Sequence, residues 1–331
     1  MIHPIVKSEE FFLRQEQSFA SAIRSGLNRK QRSISPRFLY DKLGSKLFEE
    51  ICVQPEYYPT RLETAILEKY QNEIVKTNGS SFSLVELGSG SSKKTRILLD
   101  SIFEVHDSLH YFAVDLSPTA LDEASRVLSV GYPNLTFVGM PFEYETGLNA
   151  VQDYINENKI SGSKIILFLG SSIGNFEPSE SIEFLKMVKE TMSPGDTFLI
   201  GFDLHKDPDI LRAAYNDKNG VTAKFNKNIL TRINRELDGN FDLDDFVHHA
   251  LYNEDERRIE MRLVCKNDCS VKIKSIGETF SFSRDDYIHT ENSYKWTIPL
   301  ISDMAEASAL KVQNRFTDED QWYSVVQFGS V

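Results

Sequence analysis

Short apolar runs alternate with stretches of helical periodicity between residues 84 and 201, and this alternation constrains the fold more than any other feature of the chain. Such a pattern predicts β-α-β units, in which parallel strands form one sheet and helices pack against it. The predicted strands are Leu84–Leu87, Tyr111–Asp115, Leu135–Val138, Ile165–Gly170 and Thr197–Phe202. The predicted helices between them are Lys94–Ile102, Pro118–Leu128, Ala150–Asn156 and Ser179–Met192. The chain is therefore predicted to be an α/β protein.

The flanking segments follow other patterns. Apolar residues recur at helical spacing in Phe11–Ser25, Thr60–Tyr70, Pro208–Tyr215 and Phe225–Leu237. Strand-like pieces occur at Arg258–Val264, Ser270–Ile276 and Glu278–Phe282, and an antiparallel pair at the sheet edge is predicted for Lys311–Phe316 and Trp322–Phe328. Single cores rarely grow beyond roughly 250–300 residues. A chain of 331 residues is therefore predicted to form two lobes or one domain with a large insertion.

Charge and hydrophobicity exclude several kinds of partner. The chain has 49 acidic and 37 basic side chains, a net charge of −12, and such a field repels polyanions. Nucleic acid is therefore not an expected partner. No apolar run approaches the ~20 residues that a membrane span requires, and the N-terminal MIHPIVKSEEFF lacks the pattern of a signal peptide. We expect a cytoplasmic protein that does not bind membranes.

The cysteines and histidines do not predict a metal site. The three cysteines are too few for a disulfide framework in a chain of this size, so reduced thiols are expected. The spacing of Cys265 and Cys269 could suit a metal, but no second Cys or His pair accompanies it. The seven histidines show no spacing typical of metal ligands. No metal is predicted.

A glycine turn follows the first predicted strand, in Glu86-Leu87-Gly88-Ser89-Gly90. Ligands of parallel sheets bind at the carboxyl ends of the strands, where glycines allow close approach to the backbone. The dinucleotide pattern would require a third glycine at position 93, which is Lys93. Asp115 ends the second strand, 27 positions after Gly88, where it can accept hydrogen bonds from a ribose. These residues favour S-adenosylmethionine (SAM), against a nicotinamide cofactor or a turn that only connects strand and helix.

A second loop, Gly170–Pro178, follows the fourth predicted strand and contains two glycines and Asn175. The amide of Asn175 has both donors and an acceptor, so it could bind the carboxylate or the amine of a small substrate. The alternative is a turn residue that precedes the next helix. The segment lacks the signature of adenine-methylating enzymes, in agreement with the charge argument against nucleic acid.

Several further segments carry a family resemblance. Over nearly its full length, the chain resembles the SAM-dependent L-histidine Nα-methyltransferases of ergothioneine biosynthesis. The matching segments, in chain order, are Phe38–Ser45, Pro55–Arg61, Glu86–Gly90, Gly170–Asn175, Gly220–Asn226, Ile259–Leu263 and Thr290–Lys295. The resemblance implies three successive methyl transfers from SAM to the α-amine of L-histidine, which gives hercynine.

The resemblance also implies a division of the chain. Residues 63–202 correspond to a class I (Rossmann-like) methyltransferase domain, and residues 295–331 to a C-terminal hairpin that completes its sheet. A second α+β domain that binds the substrate would comprise the N-terminal helical part, residues 1–62, and an insertion, residues 203–294. The family also implies roles for individual residues. Substrate-binding positions are Tyr57, Asn175, Tyr215, Met261, Glu291 and Ser293, and cofactor-binding positions are Gly88, Ser89, Gly90, Lys94, Asp115 and Phe142.

Within this set, Asn175 and Tyr215 are implied to bind the backbone groups of the amino acid. Glu291, Ser293 and Tyr57 are implied to surround the imidazole, with Met261 lining that end of the pocket. Alternation along a strand would place residues 291 and 293 on one face. Tyr40 is implied to lie near the amine, as the catalytic residue.

One position departs from the family pattern. An acidic residue followed by phenylalanine is expected at the adenine, but this chain has Pro141-Phe142. Either Glu143 replaces the missing acceptor, or that contact is absent.

The expected chemistry needs little acid–base assistance. An α-amine with a pKa near ~8 is already partly neutral at pH 7, so positioning is the main task and water or Tyr40 could relay the proton. Tyrosine rings suit a methylated amine because they attract a cation without capturing its proton. We expect a monomer. Three alternatives stay open: methylation of another amino acid such as tryptophan, a nicotinamide oxidoreductase, and a sensor that binds SAM without turnover.

Overall fold

The computed structural model describes residues 2–3, 19–76 and 81–330. The chain divides into two compact units. Among the described residues, one unit consists of 2–3, 59–76, 81–205 and 296–330 and is called the core unit here. The other consists of residues 19–58 and 206–295 and is called the insertion unit.

The elements of the described residues are as follows in chain order. The strands are β1 Ile2–His3, β2 Phe82–Leu87, β3 Leu109–Val114, β4 Leu135–Met140, β5 Ser163–Phe168, β6 Thr197–Asp203, β7 Phe246–Asn253, β8 Arg258–Cys265, β9 Cys269–Ile273, β10 Glu278–Phe282, β11 Tyr287–Tyr294, β12 Leu310–Thr317 and β13 Tyr323–Ser330. The helices are α1 19–27, α2 Lys42–Cys52, α3 Tyr58–Ile74, α4 Thr95–Phe103, α5 Pro118–Gly131, α6 Tyr144–Glu157, α7 Pro178–Glu190, α8 Pro208–Ala214, α9 Val221–Leu237 and α10 Ile298–Ala307.

The core unit contains one mixed sheet with the order β1-β4-β3-β2-β5-β6-β13-β12. The strands β1 to β6 pair in parallel, whereas β13 runs antiparallel to both β6 and β12. This order confirms the α/β class and the Rossmann-like sheet of a class I methyltransferase. The predicted C-terminal hairpin is also confirmed, with β12 at the sheet edge and β13 one position inside it. All six residues of β2 are buried, as expected for a central strand.

The helices of the core unit agree with the predicted pattern, apart from the start of α6 and from α10, which the pattern did not predict. Helix α6 begins at Tyr144 and not at Ala150. Gly147 falls in its second turn, where a glycine usually argues against a helix. A side chain at this position would place its Cβ 2.4 Å from Cγ1 of Val114 on β3. Gly147 therefore lets α6 pack closely on the sheet, a tertiary requirement that overrides its low helix propensity.

The insertion unit combines helices with two antiparallel sheets, which confirms its α+β character. One sheet has the order β11-β8-β7, and the other is the hairpin of β9 and β10. The strand predicted at 270–276 ends at Ile273, because a 3-10 turn and Gly277, with φ +69°, follow it. The pattern did not predict α2, β7 or α10. Of the predicted helix at 11–25, residues 11–18 lie outside the described residues, and residues 19–27 are helical.

A register shift interrupts the pairing of β11 with β8. His289 pairs with Arg262, but the next paired residue is Glu291, opposite Met261. Thr290 is thus the extra residue of a β-bulge. Thr290 and Glu291 are both buried despite being adjacent, and Ser293 is buried as well.

Two further sequence predictions can be compared with the described residues. No helix among them has both the length and the hydrophobicity needed to cross a membrane. Within the same residues, no cluster of His, Cys, Asp or Glu has the arrangement of a metal site. The sulfur atoms of Cys265 and Cys269 lie 3.5 Å apart, and both residues are free thiols.

Candidate active site

The glycine turn after β2 has the backbone geometry of a ligand-binding turn. Gly88 and Gly90 adopt positive φ values of +75° and +50°, which favour glycine. The amide of Gly88 donates to the carbonyl of Val114 at 2.8 Å, which fixes the turn to the end of β3. At Gly90, an added Cβ would find no heavy atom within 4 Å. The backbone of Gly90 is therefore open to close approach by a ligand.

Asp115 lies beside this turn. Its Oδ2 accepts the amide of Gly90 and its Oδ1 the amide of Ser117, both at 2.8 Å. Burial raises the pKa of Asp115, against the lowering effect of these two amides. Because each carboxylate oxygen has two acceptor positions, one remains on each for a ligand hydroxyl. Ser89 adds a buried hydroxyl without a hydrogen-bond partner. The turn therefore fits a polar ligand such as the ribose of SAM.

Lys94 begins α4 from the same turn, and its amine is paired with Glu63 on α3. Glu63 is fully buried and accepts the amide of Gly170 at 2.8 Å and the hydroxyl of Tyr323 at 2.7 Å. One carboxylate thus joins Lys94, a predicted cofactor-binding residue, to the loop that follows β5. The sequence prediction missed Glu63, although a signal exists. Glu63 lies on the apolar stripe of α3, three and four residues before Ile66 and Leu67.

Another buried carboxylate, that of Glu86, lies on β2 just before the glycine turn. Burial raises the pKa of Glu86 to about 7, although hydrogen bonds from Thr95 and Tyr111 lower it. The hydroxyl of Thr95 donates to this carboxylate at 2.6 Å. Glu86 therefore ties β2 to α4 and β3, and it supports the turn from below.

The other predicted site residues of the core unit, Asn175 and Phe142, lie in the segments that follow β5 and β4. Asn175 is half-buried and ends a 3-10 turn, Ser172–Asn175, after β5. Phe142 is half-buried just after β4, whereas Glu143, the possible replacement for the family's acidic residue, is exposed at the start of α6. The position held by Pro141 remains a departure from the family pattern.

In the insertion unit, Glu291 has a buried carboxylate with one oxygen that no donor satisfies. Its side chain is 8% exposed, and its Oε2 has no hydrogen-bond partner. Burial raises the pKa of this carboxyl to about 7, and the charge of Lys295 lowers it. An unpaired buried acceptor costs free energy unless a ligand supplies the missing donor. Met261, its partner across the strands, is buried and lines the same sheet.

Ser293, Tyr215 and Lys295 form a hydrogen-bonded triangle near Glu291. The two hydroxyls are 2.7 Å apart, and the amine of Lys295 donates to Ser293 at 2.7 Å and to Tyr215 at 3.0 Å. The amine also lies 4.6 Å from the ring centroid of Tyr215. Lys295 is only 1% exposed. Glu291, Ser293 and Lys295 are spaced by two residues, so alternation places all three on one face.

A row of aromatic rings completes this part of the molecule. Tyr57 lies edge-on to Tyr215, with ring centroids 6.0 Å apart, and to Phe48 at 6.2 Å. Tyr40 lies edge-on to Phe48 and Phe225, at 5.4 Å from each. Burial raises the pKa of Tyr57 well above its ordinary value, so its hydroxyl stays protonated at neutral pH. This row of aromatic residues therefore has ring faces and uncharged hydroxyl groups that a bound amine could contact.

A chain of buried hydrogen bonds connects Thr290, next to Glu291, with the backbone of Tyr215. The hydroxyl of Thr290 donates to Oδ1 of Asn226 at 2.6 Å, and Nδ2 of Asn226 lies 3.0 Å from Nδ1 of His248. Nε2 of His248 lies 2.9 Å from the carbonyl of Tyr215 and donates to it. Burial lowers the pKa of His248, which favours this neutral tautomer. The sequence prediction missed the chain, although Asn226 ends the matching segment Gly220–Asn226.

The predicted residues therefore fall into two groups. The core unit holds Gly88, Ser89, Gly90, Lys94, Asp115, Phe142 and Asn175. The insertion unit holds Tyr40, Tyr57, Tyr215, Met261, Glu291 and Ser293. The functional roles of the individual residues remain predictions.

Comparison with known proteins gives a consistent result. The family described as histidine-specific methyltransferase, SAM-dependent, matches residues 19–329. The histidine N-alpha-methyltransferase of Mycolicibacterium smegmatis is 37% identical over 89% of this chain and 90% of its own length. Ergothioneine biosynthesis protein 1 of Schizosaccharomyces pombe is 31% identical over 80% of this chain but only 35% of that protein. The L-tryptophan methyltransferase trpM of Psilocybe serbica is 28% identical over 92% of this chain and 91% of its own length.

Proposed function

The chain belongs to the family of histidine-specific, SAM-dependent methyltransferases, and from this premise we propose that it methylates the α-amine of L-histidine. Three successive transfers would give hercynine, the first step of ergothioneine biosynthesis. The observation that carries the choice of histidine is the buried carboxylate of Glu291, whose Oε2 has no donor within the described protein.

The donor is proposed to bind at the glycine turn of the core unit. Gly88 and Gly90 keep the backbone open, Asp115 accepts from the ribose, and Ser89 supplies a hydroxyl. Lys94 would bind the carboxylate of the methionine part, and Phe142 would contact the adenine. When bound, SAM supplies an electrophilic methyl group on a sulfonium. The fit is supported by the free acceptor positions of Asp115 and by the unpaired hydroxyl of Ser89.

Recognition of histidine is proposed to rest on hydrogen bonds at the ring. Glu291 accepts from an imidazole N–H, Ser293 bonds the other ring nitrogen, and Met261 packs beside them. A site with buried polar groups rejects analogues that leave them unpaired, by up to roughly 10⁴–10⁵ in kcat/KM. Tryptophan could satisfy one of the two ring contacts at most, because indole has a single N–H and no ring acceptor. The polar pair therefore favours histidine over tryptophan.

The amine is proposed to bind through Asn175 and the tyrosines. A carboxylate beside it would favour the charged, unreactive form, whereas amide groups and ring faces do not. Tyr57 cannot serve as a phenolate base, since burial raises the pKa of its hydroxyl. We assign the relay of the amine proton to water or to Tyr40. As methyl groups are added, the rings of the tyrosines attract the growing cation by about 0.5–2 kcal/mol.

Mass spectrometry tests the proposal directly. Purified protein is incubated with SAM and an amino-acid panel that includes histidine and tryptophan. Mass gains of one, two and three methyl groups on histidine alone are expected. Gain on tryptophan instead would support the alternative substrate, and SAM binding without any product would support a sensor. Failure to methylate histidine contradicts the proposed function.

We also propose that the protein acts as a monomer in the cytoplasm. This proposal is supported by the ordinary globular composition, with 40% hydrophobic and 26% charged residues. Sedimentation equilibrium checks the first statement, since a mass of 37.8 kDa is expected for a single chain.

A further inference from the structure

A buried lysine next to the proposed imidazole site has no role in the function described so far. Lys295 follows β11 and is 1% exposed. Burying an amine is costly unless its donors are satisfied and its charge is offset. The side chain donates to Ser293 and Tyr215 and attracts Glu291 electrostatically. All three partners belong to the proposed substrate site, so the position of Lys295 bears on how that site hydrogen-bonds.

The polarity of the hydroxyls follows from counting protons. An ammonium group only donates, so the oxygens of Ser293 and Tyr215 both accept from Lys295. These oxygens are 2.7 Å apart, and one hydroxyl proton lies between them. The distance alone allows either hydroxyl to donate this proton, but the phenol of Tyr215 is the more acidic of the two and therefore the better donor. With Tyr215 as the donor, both acceptor positions of Ser293 are filled. The remaining hydroxyl proton of Ser293 must then be donated to a ligand.

We propose that Lys295 is a positioning residue that makes Ser293 a donor, so that the site selects the neutral imidazole ring of histidine. In that ring one nitrogen carries an N–H for Glu291 and the other offers a lone pair to Ser293. An imidazolium has an N–H on both nitrogens, so one N–H would point at the hydroxyl proton of Ser293 and no hydrogen bond could form between the two donors. The inference rests on the proposed function and specifies the protonation state that the site accepts.

The groups that can titrate around the ring are few. Tyr57 interacts electrostatically with Glu291, Tyr215 contacts Ser293, and His248 contacts the carbonyl of Tyr215. Strand β8 contributes Met261, which does not titrate. Phenols and lysine side chains ordinarily titrate above pH 8, and burial lowers the pKa of His248 so that it stays neutral. Between pH 6 and 8 the groups at the ring that change charge are therefore Glu291 and the ring itself. The α-amine of the ligand, with a pKa near ~8, titrates at the upper end of this range in wild type and variants alike, so it does not contribute to differences between them.

Proton linkage of histidine binding distinguishes this role from a purely structural one. Wild-type protein should bind histidine more tightly at pH 8 than at pH 6, because binding requires an ionised Glu291 and a neutral ring. In Lys295→Met, Ser293 no longer accepts from the lysine, so it can accept a hydrogen bond from an imidazole N–H. Loss of the positive charge of Lys295 also favours an additional proton shared between Glu291 and the imidazole ring. Calorimetry in two buffers of different ionisation enthalpy should show about 0.5–1 additional proton taken up at pH 7.5. The affinity at pH 8 should fall roughly 10- to 100-fold.

Lys206→Met is the matched control. Lys206 is also a buried lysine of the insertion unit, and it donates to the hydroxyl of Tyr58 at 2.7 Å. Its replacement should lower stability without changing the protons taken up with histidine. The affinity for the demethylated donor should stay within twofold of wild type in both variants. A Lys295→Met protein whose proton uptake and pH preference equal those of wild type overturns the inference.

A double variant keeps the test decisive if Lys295→Met does not fold. Glu291→Gln with Lys295→Met leaves no unpaired buried charge, so the double variant should be tolerated better than Lys295→Met alone, which leaves the carboxylate of Glu291 without its cation. Glu291→Gln alone should keep the preference for pH 8, which then arises from Ser293, whereas the double variant should lose it. A double variant that keeps this preference also overturns the inference. Wild-type protein that fails to methylate histidine contradicts the proposed function instead, so the two failures are distinguishable.

Discussion

Replacing Glu291 by glutamine should weaken histidine recognition and stabilise the protein at the same time. The substitution keeps the volume of the side chain and removes its charge. The carboxyl is buried, its Oε2 is unpaired, and burial raises its pKa from 4.5 to about 7. These three observations allow both effects to be estimated from the structure.

The effect on recognition follows from the strength of a charged hydrogen bond. Such bonds contribute about 1.5–3 kcal/mol, which corresponds to a loss of roughly 10- to 150-fold in kcat/KM for histidine. The affinity for SAM should change less than twofold, because Glu291 is proposed to contact the imidazole of histidine and not the donor.

The effect on stability follows from linkage. Because the folded pKa of about 7 exceeds the unfolded value of 4.5, the folded state binds more protons between these pH values. Stability therefore falls as the pH rises through this window, and the cost is complete above about pH 7. The shift corresponds to on the order of 3 kcal/mol. This shift already includes the attraction to Lys295, so Glu291→Gln should raise the free energy of unfolding at pH 8 by up to about 3 kcal/mol. At pH 5 most of the gain should vanish.

Urea unfolding at pH 8 and pH 5, together with steady-state kinetics, measures both effects. Glu260→Gln is the matched control, since Glu260 is a buried glutamate on the neighbouring strand β8. Burial raises the pKa of Glu260, but hydrogen bonds from Arg262, Asn253 and Arg258 lower it to about 2. This variant should lose stability at pH 8 and keep its KM for histidine. A Glu291→Gln protein that is less stable than wild type at pH 8, or that has an unchanged KM, refutes the reasoning.

Three further substitutions test other parts of the site. Asp115→Asn should weaken the binding of the demethylated donor roughly 10- to 150-fold, because a charged acceptor for the ribose is lost; calorimetry measures this. Asn175→Ala should lower kcat/KM for histidine roughly 2- to 13-fold while donor affinity is kept, since a neutral hydrogen bond contributes about 0.5–1.5 kcal/mol; equal losses for both ligands would contradict its assignment. Thr290→Val should lower the free energy of unfolding by about 1–3 kcal/mol, because it leaves the buried Oδ1 of Asn226 without a donor.

The core unit could be predicted well because its signals are local. Each of the five predicted strands is a short apolar run, and Pro118 and Pro178 mark the first turns of α5 and α7. The pattern could not predict α2, whose sequence Lys42–Cys52 includes Gly44 in its first turn. A side chain at Gly44 would place its Cβ 1.7 Å from the carbonyl oxygen of Leu39. The glycine is thus required by a contact that the local sequence does not reveal.

The candidate site was predictable where it depends on spacing and motif, and not where it depends on tertiary contacts. Alternation placed Glu291 and Ser293 together, and the same rule would have added Lys295. The contacts of Asn226 with His248 and Thr290 join three separate elements. The pairing of Glu63 with Lys94 likewise joins two helices far apart in sequence. No periodicity encodes such pairs.

The extra residue at position 290 shifts the alternation of inward and outward side chains along β11 by one residue. Counting strictly by twos from the buried Ile288 would direct residues 290 and 292 inward and residues 291 and 293 outward. The bulge reverses this order after its own position, so the strand first fills the interior and then buries the polar side chains of Glu291 and Ser293, which we propose bind the ligand. Packing and the proposed recognition are thereby separated along a single strand, and substitutions at 291 or 293 should change recognition without altering the residues that hold the sheet together. Deletion of the bulge residue would instead turn the side chains that follow it to the opposite face of the sheet, so the carboxylate of Glu291 would leave the interior.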